Sequence, residues 1–202
     1  MPKINLKKSV KCLLLSGAML GFMQFGAQTV FAQSNVRYMN NFAGVPISCS
    51  IEEGQAVISG IHSGYTISQV RAILGNPSYT SSAQSGQILT YSYFASGINV
   101  KFWNLGRSGQ YTVCGIQTTK MGYYTPAGIT VGMPADMLNQ KYGTADSIYT
   151  EKSVAPKLST DQQEKYNRFG KTVYTYNVSA ALSLYFVVKN DKITEIGIDM
   201  SD

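Results

Sequence analysis

Apolar residues recur twice at helical spacing, and between those stretches they alternate at period two. Val70, Ile73 and Leu74 fall at i, i+3 and i+4, which places them on one stripe of a helix. Thr66 or Ser68 supplies a cap at its start. Gly75-Asn76-Pro77 ends it, because glycine accepts the left-handed terminal conformation and proline cannot continue a helix. A second stripe, Met133, Met137, Leu138 and Tyr142, opens with Pro134 in its first turn, where a missing N–H does no harm, and closes at Gly143. Strand patterns follow each helix. Leu89, Tyr91 and Tyr93 alternate with Thr90 and Ser92. Ile98, Val100 and Phe102 alternate with Asn99, Lys101 and Trp103. Leu184, Phe186 and Val188 alternate with Tyr185 and Val187. Period two predicts strands with one face on a core. The short links Phe94 to Gly97 and Asn190-Asp191 favour antiparallel meanders. Upstream, Val45 to Ser50 and Ala56 to Ile61 read as two short strands around a Glu52-Glu53-Gly54 turn, able to pair as a hairpin.

The same wording is written twice. GYTISQVRAILGNPS starts at Gly64 and GMPADMLNQKYGTAD at Gly132. LTYSYF from Leu89 answers VYTYNV from Val173, INVKFW from Ile98 answers LSLYFV from Leu182, and YTVCGI from Tyr111 answers KITEIGI from Lys192. Self-similarity at this period predicts duplicated supersecondary units. The expected fold class is therefore α+β: two tandem units, each a helix on an antiparallel sheet. The expected organisation is an N-terminal extension or hairpin over 33–57, a first unit over 58–122 and a second over 123–202. The second copy carries an insertion at 151–170, where Ser159 to Gly170 reads as a short capped helix.

The first 32 residues read as a leader rather than as fold. Lys3, Lys7, Lys8 and Lys11 precede an uncharged, mostly apolar run from Cys12 to Phe31, and Val30-Phe31-Ala32 offers small residues for cleavage after Ala32. A retained membrane anchor is the rival reading, which Gly17, Gly21, Gly26 and the polar Gln24, Gln28 and Thr29 weaken. No cysteine stands where a lipid-anchored N-terminus would need one. The predicted location is periplasmic or extracellular, with a mature chain that does not span a membrane. Charge changes meaning with the leader gone: the formal +6 falls to +2, from 13 basic and 11 acidic residues. That is no footprint for nucleic acid. Cys49 and Cys114 remain, and an even count in an exported chain favours a disulfide between them, with two buried thiols as the alternative.

Chemistry is sparse. The chain has one histidine, His62, beside Ser63, and nothing in the sequence gives it an orienting acid. No pattern for zinc or calcium is present, and Gly106-Arg107-Ser108-Gly109 has no phosphate-loop lysine. The reading is a protein without enzymatic activity, metal or cofactor. The face opposite the core stripe is more suggestive. Lys101, Trp103 and Tyr185 point there, with Arg107 on the adjacent hairpin, and these residue types are enriched at protein interfaces. Trp103 has a second reading, packing against the other unit or the N-terminal hairpin.

One family resemblance emerges from these residues. Gly64, Thr66, Gln69, Val70, Leu74, Gly75 and Pro77 sit where the SmpA/OmlA (BamE-like) outer-membrane assembly lipoproteins carry their opening motif, and Gly132, Met133, Leu138 and Gly143 repeat it more loosely. The tandem arrangement also resembles the secreted β-lactamase inhibitory protein. The resemblance covers roughly Ile58 to Met200 and implies an exported protein-binding module, in envelope or outer-membrane assembly or, alternatively, a secreted enzyme inhibitor. In either case the implied partner is another protein of the envelope or exterior.

Overall fold

Four glycines at positive φ, Gly64 and Gly132 before the helices and Gly75 and Gly143 after them, fix where both helices begin and end, and the strands follow from there. The structure is a computed structural model that describes residues 36–40, 44–104, 109–150 and 170–200. β1 (Arg37–Asn40) and β2 (Pro46–Cys49) pair antiparallel. β3 (Val57–Ile58) and β4 (Ile61–His62) form a second small ladder. Next come α1 (Ile67–Leu74), β5 (Tyr79–Ala83), β6 (Ile88–Tyr93), β7 (Ile98–Asn104) and β8 (Tyr111–Thr118). The order repeats as α2 (Asp136–Tyr142), β9 (Ser147–Thr150), β10 (Lys171–Asn177), β11 (Leu182–Lys189) and β12 (Lys192–Met200).

β5 through β12 form one antiparallel sheet in the order β5-β6-β7-β8-β12-β11-β10-β9. This overturns the expected α+β pair of helix-on-sheet units. Among the described residues the chain is predominantly strand, with two helices of eight and seven residues. The reason is edge pairing. Thr118, Gln117, Ile116 and Gly115 of β8 lie opposite Ile196, Gly197, Ile198 and Asp199 of β12, so the two four-stranded meanders share one ladder. Two further strands, β5 and β9, add to the sheet where the sequence pattern shows only links. The upstream pairing also differs from expectation. Pro46–Cys49 pairs with Arg37–Asn40, not with the stretch ending at Ile61, and Glu53–Gln55 is a single 3-10 turn between them. The predicted leader and nearly all of the 151–170 insertion lie outside the described residues.

Each helix is held by the same three devices. At the start, Gly64 N–H donates to the Val113 carbonyl (2.9 Å) and Val113 N–H donates back to Tyr65 (2.8 Å). Gly132 and Met133 make the matching pair with Ile193, at 2.8 and 2.9 Å. At the end, Gly75 (φ 78°) and Gly143 (φ 75°) turn the chain in the left-handed region. Then a tyrosine from the neighbouring strand donates to each glycine's carbonyl: Tyr93 to Gly75 at 3.4 Å and Tyr176 to Gly143 at 3.2 Å. Thr66 caps α1, accepting from Gln69 N–H while Gln69 Oε1 accepts from Thr66 N–H at 2.8 Å, the reciprocal capping arrangement. α2 begins at Asp136, two residues past Pro134, and lacks a side-chain cap.

One core underlies the sheet. Val70 and Leu138 from the helices join Ile98, Val100 and Phe102 of β7, Leu184, Phe186 and Val188 of β11, and Ile193, Ile196 and Ile198 of β12. Tyr142, Tyr176 and Phe186 pack as an aromatic triad with ring centroids 5.2 to 5.9 Å apart. The β1–β2 hairpin is fastened to the end of β10 by polar bonds. One oxygen of Asp146 accepts from Ser50 N–H (3.1 Å), Ser50 Oγ (2.5 Å) and Asn177 N–H (2.7 Å), and Asn177 Nδ2 donates to the Ser48 carbonyl (2.9 Å). Arg37 donates to the Ile51 and Val178 carbonyls at 2.9 and 3.3 Å. Asp146→Ala leaves those backbone donors without their acceptor, a loss of about 1–3 kcal/mol. Denaturant unfolding should show that decrease, and limited proteolysis should cut the hairpin faster; unchanged stability and cleavage would mean that Asp146 is not the fastening.

Candidate functional site

The sheet face turned away from the core is polar because the alternation places it so. Register carries one row across the central strands, Ser92, Asn99, Gln117, Gly197, Tyr185 and Thr175, and the next row runs Thr90, Lys101, Gly115, Asp199 and Ser183. Two glycines therefore sit on adjacent strands, β8 and β12, at the line where the meanders join. Each is covered by a side chain from the flanking strand. Tyr185 lies over Gly197, where a Cβ would stand 2.2 Å from its Cζ, and the Lys101 stem lies over Gly115, with 3.5 Å to the same imagined atom. Glycine inside a strand commonly marks such a close approach. Between them is a shallow depression of about 30 Å³, lined by Asn99, Lys101, Gly115, Ile116, Gln117, Tyr185, Ile198 and Asp199.

The chemistry of the depression is mixed. The Tyr185 hydroxyl donates to Glu195 Oε1 at 3.1 Å. Burial, followed by the Glu195 charge and the bond to it, pushes the Tyr185 phenol above its usual range, so it stays protonated and remains a donor. Lys101 and Asp199 are both exposed. The face thus offers an ammonium, a carboxylate, two amides and a phenol within two rows.

The structure places Lys101 and Tyr185 on the same depression. Trp103 follows Lys101 at the next outward position of β7, half-buried opposite Thr112 and Ile88. Arg107 lies outside the described residues. Sequence reasoning missed Asn99, Gln117, Asp199 and Glu195 as members of this face. Asn99 was readable from the β7 alternation, and Gly115 and Gly197 were visible as glycines inside strand patterns. Asp199 was readable as well, from the Ile196-Gly197-Ile198-Asp199 alternation. Glu195 was not, because Thr194 is an extra residue in the β11–β12 register, where Val187 pairs with Glu195 and Val188 with Ile193, and it breaks period two just before Glu195.

The expected disulfide is not formed. Cys49 and Cys114 are separate thiols. Cys49 is buried beside Asp146 at the end of β10, and burial, then the Asp146 charge, pushes its thiol above the usual range. Cys114 is the extra residue of a bulge within β8, where the register steps between Lys101 and Phe102. β12 and β11 lie between β8 and β10, which is about 14 Å of sheet, twice the reach of a disulfide. Among the described residues no carboxylate bonds the His62 ring: Nδ1 faces the Ser63 carbonyl at 2.6 Å, and the ring packs on Tyr65 with centroids 4.0 Å apart. Among the described residues no three His, Cys, Asp or Glu side chains converge to hold a metal, and no helix is long and apolar enough to cross a membrane.

No protein-family profile and no curated protein matches the chain. Two solved structures are similar to parts of it. One is a DUF4309 family protein from Bacillus subtilis, 15% identical over 67% of this chain and 78% of that one, with a TM-score of 0.38. The other is an extracellular protein containing an SCP domain from Bacillus anthracis, 12% identical over 69% of this chain and 44% of that one, also with a TM-score of 0.38.

The glycine under Tyr185 gives a direct check on the site's geometry. Gly197→Ala should swing the Tyr185 ring away and break its bond to Glu195, costing about 1 kcal/mol and lowering Tm by a few degrees. Thermal unfolding measures the loss, and the nuclear Overhauser contacts of the Tyr185 ring report the displacement. Retention of both would show that Gly197 is not what seats the ring.

Proposed function

We propose that the chain is an exported, non-enzymatic module that binds another protein of the cell envelope or exterior through the outer face of its sheet. The observation that carries this reading is the polar face at the β8–β12 junction, where Lys101, Asp199 and Asn99 stand exposed around the Tyr185–Gly197 seat. A depression of about 30 Å³ is far below the few hundred Å³ of a small-molecule site, so the fitting ligand is a broad surface rather than a compact metabolite. Neighbouring charges of both signs, a hydrogen-bonding tyrosine and a tryptophan suit a protein partner with complementary charges. The leader-like N-terminus, with its four lysines and uncharged run before Ala32, supports export. The near-neutral balance of the remaining chain argues against nucleic acid.

The test is affinity capture from envelope extracts with the chain beginning at Gln33. A defined protein should be retained, and recovery with the membrane fraction rather than the medium separates an envelope factor from a secreted inhibitor. Trp103→Ala should weaken capture by roughly thirtyfold, the effect of losing an interface anchor worth about 2 kcal/mol. Lys101→Glu should weaken it as well, and because that side chain is exposed the fold should survive, which circular dichroism checks. Capture unaffected by Lys101→Glu, or no partner at all, would sink the reading.

A further inference from the structure

The two helices are seated alike, yet the space beside them is filled differently. In the first half, Arg71 stands four residues before the capping Gly75, whose N–H donates to the Arg71 carbonyl at 2.8 Å. Its guanidinium lies over the Tyr91 ring, 5.3 Å from the centroid, and Nη2 donates to the Tyr91 hydroxyl at 3.0 Å. Tyr91 is two residues before Tyr93, the tyrosine that donates to the Gly75 carbonyl. In the second half the matching residue is Asn139, four before Gly143, whose N–H donates to the Asn139 carbonyl at 3.0 Å. The matching ring is Tyr174, two before Tyr176, which donates to the Gly143 carbonyl. Ile67 of α1 corresponds to Ala135. The shorter Asn139 and Ala135 leave a cavity of about 260 Å³ between α2 and the β9–β10 ladder.

The cavity is suited to what is missing from it. Its apolar walls are Ala135, Leu138, Ala145 and Ile148, and Tyr174 and Tyr176 also line it. Asp136 supplies a carboxylate at its lip, its Oδ2 accepting from Gln140 Nε2 at 3.3 Å, and Asn139 supplies an amide. No lysine or arginine is among its described lining residues. Its volume is below that of a cofactor site and in the range of one long side chain. We propose that this cavity is a receptor for an arginine side chain of a partner polypeptide, the guanidinium stacking on Tyr174 as Arg71 stacks on Tyr91 and pairing with Asp136. The apolar walls take the methylene stem. This deepens the protein-binding reading and rests on it for the polypeptide source of the side chain.

The test is a titration of the chain beginning at Gln33 with N-acetyl-arginine-N-methylamide, followed by amide NMR shifts. Shifts should concentrate at Asn139, Thr144, Ala145 and Tyr174, with a Kd of order millimolar for a lone side chain. The citrulline analogue, equal in shape but uncharged, should bind several-fold more weakly. Asn139→Arg, at an exposed helix position that arginine suits, should fill the cavity from within, abolish the shifts and raise Tm. Asp136→Asn should weaken binding roughly threefold, the range of a solvent-facing ion pair. Free arginine binding tenfold more tightly than the capped form would overturn the polypeptide source. Equal binding of citrulline, or shifts undiminished in Asn139→Arg, would overturn the site itself. The titration reads only the cavity, so its failure leaves capture through the sheet face standing, and failed capture leaves the titration standing.

Discussion

The backbone ladder between β8 and β12 governs the rest of the molecule. Thr118 to Gly115 run antiparallel to Ile196 to Asp199, and this short register joins two meanders that would otherwise each present an open inner edge. Because side chains alternate, fixing it also fixes which residues share a face. Ile116 and Ile198 are directed together into the core, while Gly115 meets Asp199 and Gly197 meets Gln117 on the other side. The slip of a single residue would bury Asp199 and expose Ile198. The buried isoleucines thus hold the polar face in place from behind.

That face is shaped by how little side-chain volume stands at its centre. Two glycines at the junction let Tyr185 and Lys101 lie flat instead of standing upright, and the flattened ring brings its hydroxyl to Glu195. The half-buried phenol keeps its proton because both burial and the nearby carboxylate oppose ionisation. The depression is therefore a set of donors and acceptors arranged on a plane.

On the helix side, one backbone frame is used twice with different contents. Gly64 and Gly132 start the helices through the same pair of strand bonds, and Gly75 and Gly143 end them at nearly equal angles. Arg71 then closes the first frame over Tyr91, while Asn139 leaves the second open beside Tyr174. Frame and filling are separable because the frame is made by backbone bonds and glycine conformations, while the filling is set by single side chains that face outward. The N-terminal hairpin is added by a third kind of contact, the Asp146 carboxylate shared among three donors, which satisfies backbone groups that burial would otherwise leave unpaired.

What the sequence alone determined was local. Glycine is the residue that accepts positive φ, so Gly75 and Gly143 marked both helix ends without reference to anything distant, and Pro77 agreed. Strands buried on one face, such as β7 with Ile98, Val100 and Phe102, declared themselves by alternation, and the same pattern placed Lys101, Trp103 and Tyr185 on the opposite side. Tertiary structure decided everything that depends on partners. β5, the Tyr79–Ala83 edge strand, is exposed at every position and has no period to read. β1, exposed throughout, was equally silent, so Pro46–Cys49 was assigned the wrong neighbour. The thiols stay apart because β12 and β11 intervene between β8, which carries Cys114, and β10, to whose end the strand of Cys49 is fastened, a distance that cysteine count cannot supply. The fold class turned on whether two edges meet: helix stripes and strand patterns are compatible with separate units, and only the pairing of β8 with β12 makes them one sheet.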